Sequence, residues 1–255
     1  MKYIRLIGKY NKIRCIMAPA KSIVVAMGLS VIVSATPVLA GQQVYIYSVV
    51  HPLYGEIGTL TDTVERSSDV LRIDSRMRIA VDLLGVVVYR HESDTTEIMR
   101  NGRLISLQSV IEKDGQHLEV HGEAQGDQFV VNATAGSFTG PAATAPCDPW
   151  VLKHTGEGAV VYPSTGKITN AHVSGGDYQT ISVNGALVPT RHFAVMGDNR
   201  EDVWLDKRGI PIMFRTVEDG TPIDFVLQEA GAGGGPALVA ASERSVRPRS
   251  GNTSK

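Results

Sequence analysis

The chain has 255 residues, 43% of them hydrophobic, with 25 Lys+Arg, 26 Asp+Glu and two cysteines. The six ionised residues among the first 40 (Lys2, Arg5, Lys9, Lys12, Arg14 and Lys21) are all basic, so residues 41–255 keep 19 basic groups against 26 acidic ones, a net charge of −7. Phosphate neutralisation supplies most non-specific nucleic-acid affinity, so an acidic body argues against a nucleic-acid partner.

The basic N-terminal segment leads into the apolar run IVVAMGLSVIV and then SATPVLA. This is the order of a secretory signal peptide, with small or apolar Val38 and Ala40 before the cut. A spanning helix needs about 20 predominantly apolar residues. The shorter, interrupted run is therefore expected to be removed after Ala40, leaving no transmembrane anchor and a periplasmic or secreted protein. Met17 offers a later start that keeps MAPAKS as the positive region, and no cysteine follows the apolar run to mark a lipoprotein. Cys15 leaves with the signal, and Cys147 then stands alone where thiols normally pair. As a nucleophile it would need a basic partner such as His154. A partly buried spectator thiol is the weightier reading.

From Gln43 to Gln228 short alternating runs are separated by turn signals, and no helical period is sustained, which predicts an all-β domain over residues 41–228. The run LRIDSRMRIAV places Leu71, Ile73, Met77, Ile79 and Val81 on one face and Arg72, Asp74, Arg76 and Arg78 on the other, a packed face and a solvated charged one. Asn101-Gly102, Asp114-Gly115, Asn184-Gly185 and Asp219-Gly220 read as tight hairpins, because each pair tolerates the positive φ of a type I′ turn. Between two β halves, residues 139–157 hold GPAATAPCDPW. Asp148 before Pro149 is a helix start, so one short helix is expected near residues 149–154, with Trp150 and Leu152 plugging the open side of a curved sheet. The segment 229–255, rich in Gly, Ala and Ser, reads as a disordered tail.

A two-residue loop at Asn101-Gly102 pairs Arg100 with Arg103, and one at Asp114-Gly115 extends the meander. Ile98, Ile105, Leu107, Ile111, Leu118 and Val120 then share a core face. Tyr89, His91, Thr95, Glu97, Glu112, His117 and His121 share a polar one, with His91 opposite Glu112. Such a pair could hold one imidazole tautomer for acid/base work, making Tyr89, His91 and Glu112 the catalytic candidates, although an exposed polar face is the weightier reading. His91 and Glu97, about 20 Å apart along one strand, cannot meet without a bulge. His117 and His121 lie about 13 Å apart on a strand and cannot share an ion. No metal site and no cofactor motif is read. Phe214 is expected opposite Phe225, and Arg215 opposite Asp224. Trp204 and Trp150 are the ligand-stacking candidates, though packing is the commoner use of such aromatics. Pro189, which cannot donate to a ladder, marks an expected edge.

The pieces HPLYGEIG, LLGVVVYRHES with the later Glu97, NGRL and VWLDKRGIP resemble an uncharacterised family of small secreted bacterial proteins of unknown function. The resemblance covers nearly all of residues 43–228. It implies a Gram-negative envelope location and an extended, curled antiparallel sheet, and more distantly a likeness to half-barrel envelope proteins that carry lipids. None of these pieces is a catalytic signature. The leading expectation is a noncatalytic binder whose curved sheet encloses an apolar or amphipathic ligand such as an envelope lipid. The alternatives are a hydrolase or isomerase built on Tyr89, His91 and Glu112, and an envelope scaffold protein. Whether the apolar or the polar face lines the concave side separates the first two.

Overall fold

The computed structural model describes residues 41–152, 155–218 and 220–232. The signal peptide read over residues 1–40, His154, Asp219 and residues 233–255 of the expected tail lie outside them. The described residues form one 15-stranded sheet, with the first strand at its middle. From there β1 (Gly41–His51), β2 (Gly55–Arg66), β3 (Val70–Leu83), β4 (Val86–Arg100), β5 (Arg103–Lys113), β6 (Gln116–Gln125), β7 (Gln128–Ala133) and β8 (Gly136–Pro141) step outward as an antiparallel meander. The chain then crosses to the opposite edge through β9 (Ala145–Pro146) and a single 3-10 turn, Pro149–Val151. It returns through β10 (Gly156–Val161), β11 (Ile168–Val183), β12 (Ala186–Met196), β13 (Arg200–Leu205), β14 (Pro211–Glu218) and β15 (Thr221–Ala232), and β15 closes against β1. The expected all-β curled meander is the observed class.

The curl is visible in contacts that the strand order alone would forbid. Lys113 on β5 and Glu218 on β14 are 3.6 Å apart although five strands separate their own in the sheet. At the far edge, a Cβ on Gly140 of β8 would lie 2.6 Å from the Thr144 hydroxyl and 2.9 Å from Ile168 of β11, so only glycine lets these segments approach. The concave face carries the core, including Tyr47, Val49, Ile73, Leu107, Phe129, Val203, Phe214 and Phe225. The convex face carries the charges: Arg72 binds Asp74 at 2.7 Å, while Arg76 and Arg78 both grip Asp94.

Several expectations are corrected. The short helix is a three-residue 3-10 turn. Asp148 accepts from the Trp150 amide at 2.6 Å and Pro149 opens the turn as expected, but Leu152 is already extended, because β10 begins at Gly156. The tail was expected from Glu229, yet Glu229–Ala232 continue β15 by pairing with Ile46 to Gln43 of β1. Pro189 does not mark an edge strand, since β12 lies between β11 and β13. It sits where β12 outruns β13, whose pairing stops at Arg191 opposite Leu205. The pairs Phe214 with Phe225 and Arg215 with Asp224 form as expected, the first with rings stacked 4.5 Å apart.

The largest correction concerns β4 and β5. The Asn101-Gly102 turn pairs Arg100 with Arg103 and Met99 with Leu104, but a bulge follows and Ile98 faces Ser106. One extra residue in one strand exchanges the faces of everything beyond it relative to the partner. His91 therefore faces Lys113, and Glu112 faces Glu92. Tyr89, His91, Thr95 and Glu97 turn to the concave side, in phase with Leu107, Ser109 and Ile111, and Ile98 leaves it.

Candidate functional site

Two groups of polar residues lie inside the curl. The first sits at one open end, where β3, β4 and β5 face β14 and β15. A cavity of about 480 Å³ there has apolar walls, Met77, Ile79, Val81, Ile223 and Phe225, and a polar strip, Tyr89, His91, Lys113 and Glu218. Each side chain arrives by the two-residue period: Met77, Ile79 and Val81 from β3, Tyr89 and His91 from β4, Ile223 and Phe225 from β15. The Tyr89 hydroxyl lies 3.3 Å from His91 Nδ1, and the Lys113 ammonium stands 5.8 Å from the centre of the Tyr89 ring. Burial first, and then Lys113, push His91 below its ordinary range, so the imidazole is neutral at pH 7. Burial raises the Tyr89 phenol. Deeper in, His91, Met77, Glu218 and Phe225 also line a smaller space of about 240 Å³ that reaches Cys147 and Glu201.

The second group is a set of four acids around the 3-10 turn, drawn from both halves of the sheet. Asp62 of β2 and Glu97 of β4 are buried, and Glu201 of β13 and Asp148 before the turn are half-buried. Burial raises all four: Asp62 to about 6, opposed by the Trp150 indole, Glu201 to about 7, Asp148 to about 8, and Glu97 well above the carboxylate range. Asp62 Oδ2 accepts from the Trp150 indole at 2.8 Å. Glu97, 1% exposed, has a partner on neither oxygen among the described residues. Burial without a partner favours its neutral carboxylic acid form over the carboxylate. Trp150 also packs on Tyr45 with ring centres 4.5 Å apart, so the turn pins the two halves of the sheet together.

The sequence-derived candidates are thus divided. Tyr89 and His91 meet in the cavity. Glu112 does not join them: it lies on the convex face, hydrogen-bonded to His117. Trp204 is also outside, stacked on His192 at 4.8 Å with its indole donating to Gln179 at 3.0 Å. Trp150 is inside, but its ring is spent on Asp62 and Tyr45. Cys147 donates its thiol to Glu201 at 3.4 Å, and burial and acidic neighbours raise its pKa, which keeps it a thiol. No group of three or more metal-ligating side chains is found among the described residues.

Sequence reasoning missed Lys113, Glu218 and the acid set. Asp62 and Glu201 carried a signal, since each stands in the apolar phase of its strand, Asp62 between Leu60 and Val64 and Glu201 before Val203 and Leu205. Glu97 and Lys113 carried none without the bulge.

An open, curled antiparallel sheet enclosing an amphipathic cavity defines a barrel-like β protein. Residues 54–228 match the family described as "Domain of unknown function (DUF6134)", and the chain belongs to that family. Its fold is similar to that of a solved structure, the β-barrel-like protein of domain of unknown function DUF1849 from Brucella abortus. The two share 13% identity at a TM-score of 0.58, over 76% of this chain and 98% of that one. No curated protein matches the chain.

Proposed function

We propose that this is an exported, noncatalytic binding protein of the cell envelope that holds an apolar or amphipathic ligand, such as a lipid, inside its curled sheet. The observation that carries the reading is the concave cavity of about 480 Å³, within the size range of small-ligand sites, with aliphatic and aromatic walls and one polar strip. Such a lining suits a molecule with a long apolar part and one polar end. The polar end would meet Tyr89, neutral His91 and the Lys113–Glu218 pair, whose opposite charges leave the strip nearly neutral. Export rests on the N-terminal sequence pattern. The acid/base alternative loses its partner, because Glu112 points away from His91.

Native mass spectrometry of the protein purified from its own envelope tests this reading. A copurifying amphipath at one per chain, absent from an Ile223→Trp variant whose indole fills the cavity, is the expected result. Bare wild-type protein under conditions that preserve lipid complexes would overturn it.

A further inference from the structure

The hairpin joining β3 to β4 leaves the body of the sheet. On one side, pairing of β3 with β2 ends at Ile79 opposite Gly58; on the other, pairing of β4 with β5 ends at His91 opposite Lys113. Beyond those pairs the ladder joins the two strands only to each other, out to the turn at Leu84-Gly85. The last ties to the body are Asp114, whose amide donates to the Arg90 carbonyl and whose carboxylate accepts from the Arg90 amide, both at 2.9 Å, and buried Val81 on the cavity wall. At about 3.3 Å per residue, the three steps from buried Val81 to Leu84 make an exposed ribbon of roughly 10 Å. Its end carries aliphatic side chains on both faces, with one acid among them: Asp82, opposite Val87, accepts from the Gly85 amide of the turn at 2.8 Å. Leu83, Leu84, Val86, Val87 and Val88 are all exposed, Leu84 entirely so. A bulge opposite Val81 and Asp82 breaks the alternation that would have turned one face inward.

The turn residue itself goes against local chemistry. Leu84 has φ 56°, the left-handed region, and the other non-glycine residues there among the described residues are Asn101, Asp114 and Asn184, each opening a hairpin turn of the same kind. Asn and Asp tolerate that region, and leucine does not. The position spends backbone stability to present an isobutyl group to the surroundings. Leu53 of the β1–β2 turn is 81% exposed, and Tyr54 of the same turn lines the cavity together with Val88.

We infer that the β3–β4 ribbon is a membrane-docking element that seats its Leu83–Val88 tip in the apolar layer of a lipid surface. A protein groove would cover one face of a ribbon; exposed aliphatic side chains on both faces and at the turn call for a medium that surrounds them, with Asp82 left at its polar boundary. Only the turn and its first flanking residues enter, because deeper insertion would strip water from the unpaired backbone of both ribbon edges. The charges nearest the tip, Asp82, Arg90 and Asp114, are of both signs, so attachment does not need anionic lipid. The inference is separate from the ligand reading, although Val88 of the tip also lines the cavity.

Flotation with phosphatidylcholine vesicles tests it, comparing the wild type with Leu84→Asn. Asparagine is the residue the same turn uses elsewhere in this chain, so the variant keeps the fold and its melting temperature does not fall. Burial of one leucine side chain is worth enough that its loss lowers vesicle partitioning about tenfold or more. Binding of a fluorescent fatty acid free in solution is unchanged by the variant; loss of that binding in the wild type would sink the ligand reading and leave docking standing. The inference is overturned if the wild type does not float with vesicles or if Leu84→Asn floats equally well. It is also overturned if sedimentation shows tip-dependent self-association without vesicle binding, which would make the occupant a second copy.

Discussion

Glu97 shows how one residue can record the conditions a fold is built for. Both of its oxygens are buried without a partner among the described residues, and Asp148 and Asp62 lie close enough to raise it further. An unfolded carboxyl titrates near 4, whereas Asp62, Glu201 and Asp148 hold their protons to about 6, 7 and 8 in the folded chain. Above about pH 4 the native state therefore binds more protons than the unfolded state, and stability falls as pH rises. Urea unfolding is expected to give a higher midpoint at pH 5 than at pH 8. Glu201→Gln should flatten the part of that fall that lies below about pH 7; a midpoint that rises with pH would contradict the acid set. Trp150→Phe removes the indole donor from buried Asp62 and should cost about 1–3 kcal/mol, measured by the same unfolding. This part of the site was half legible in the sequence. Asp62 and Glu201 betray themselves by standing in an apolar phase, and Asp148 by preceding Pro149, but Glu97 reads as a surface acid until the bulge turns its strand over.

At the scale of the element, that bulge decides what the concave face contains. A turn rule places Arg100 opposite Arg103 correctly, yet the rule holds only until the ladder slips, one pair later, between Ile98 and Met99. A one-residue slip exchanges faces, so His91 moved from a predicted partnership with Glu112 to the cavity, and Lys113 came with it. The hairpins were legible where Asn-Gly and Asp-Gly mark them and illegible at Leu84-Gly85, where function overrides turn chemistry. The curl of the sheet depends on close strand approach as well. A Cβ on Gly58 would stand 2.2 Å from the Arg78 carbonyl and 2.8 Å from the Ile79 Cα, both backbone atoms that cannot swing aside. Gly58→Ala should therefore destabilise by roughly 1–3 kcal/mol, seen as a lower urea midpoint, with the loss centred on the β2–β3 ladder next to the cavity. Unchanged stability would mean that this pair of strands has slack that its geometry does not show.

For the molecule as a whole, the strand order matters less than how it is wrapped. Two meanders grow from the centre of one sheet, and the crossing at β9 and the 3-10 turn brings their far ends to the same side. The Lys113–Glu218 pair and the Trp150–Asp62 bond then tie halves that are remote in the sheet. The all-β class and most of the strand order could be read from turn signals and alternation, but the wrapping could not, because it depends on contacts between residues about 100 positions apart that no local pattern encodes. Its product is a space with apolar walls and a polar strip, and the central claim is that this space holds an amphipath. Titration of a fluorescent long-chain fatty acid into the wild type and into Ile223→Trp tests that claim most directly. Saturable binding at one per chain that the filled cavity abolishes, with the variant still folded, is the expected result. No saturable binding, or equal binding by both proteins, would contradict it.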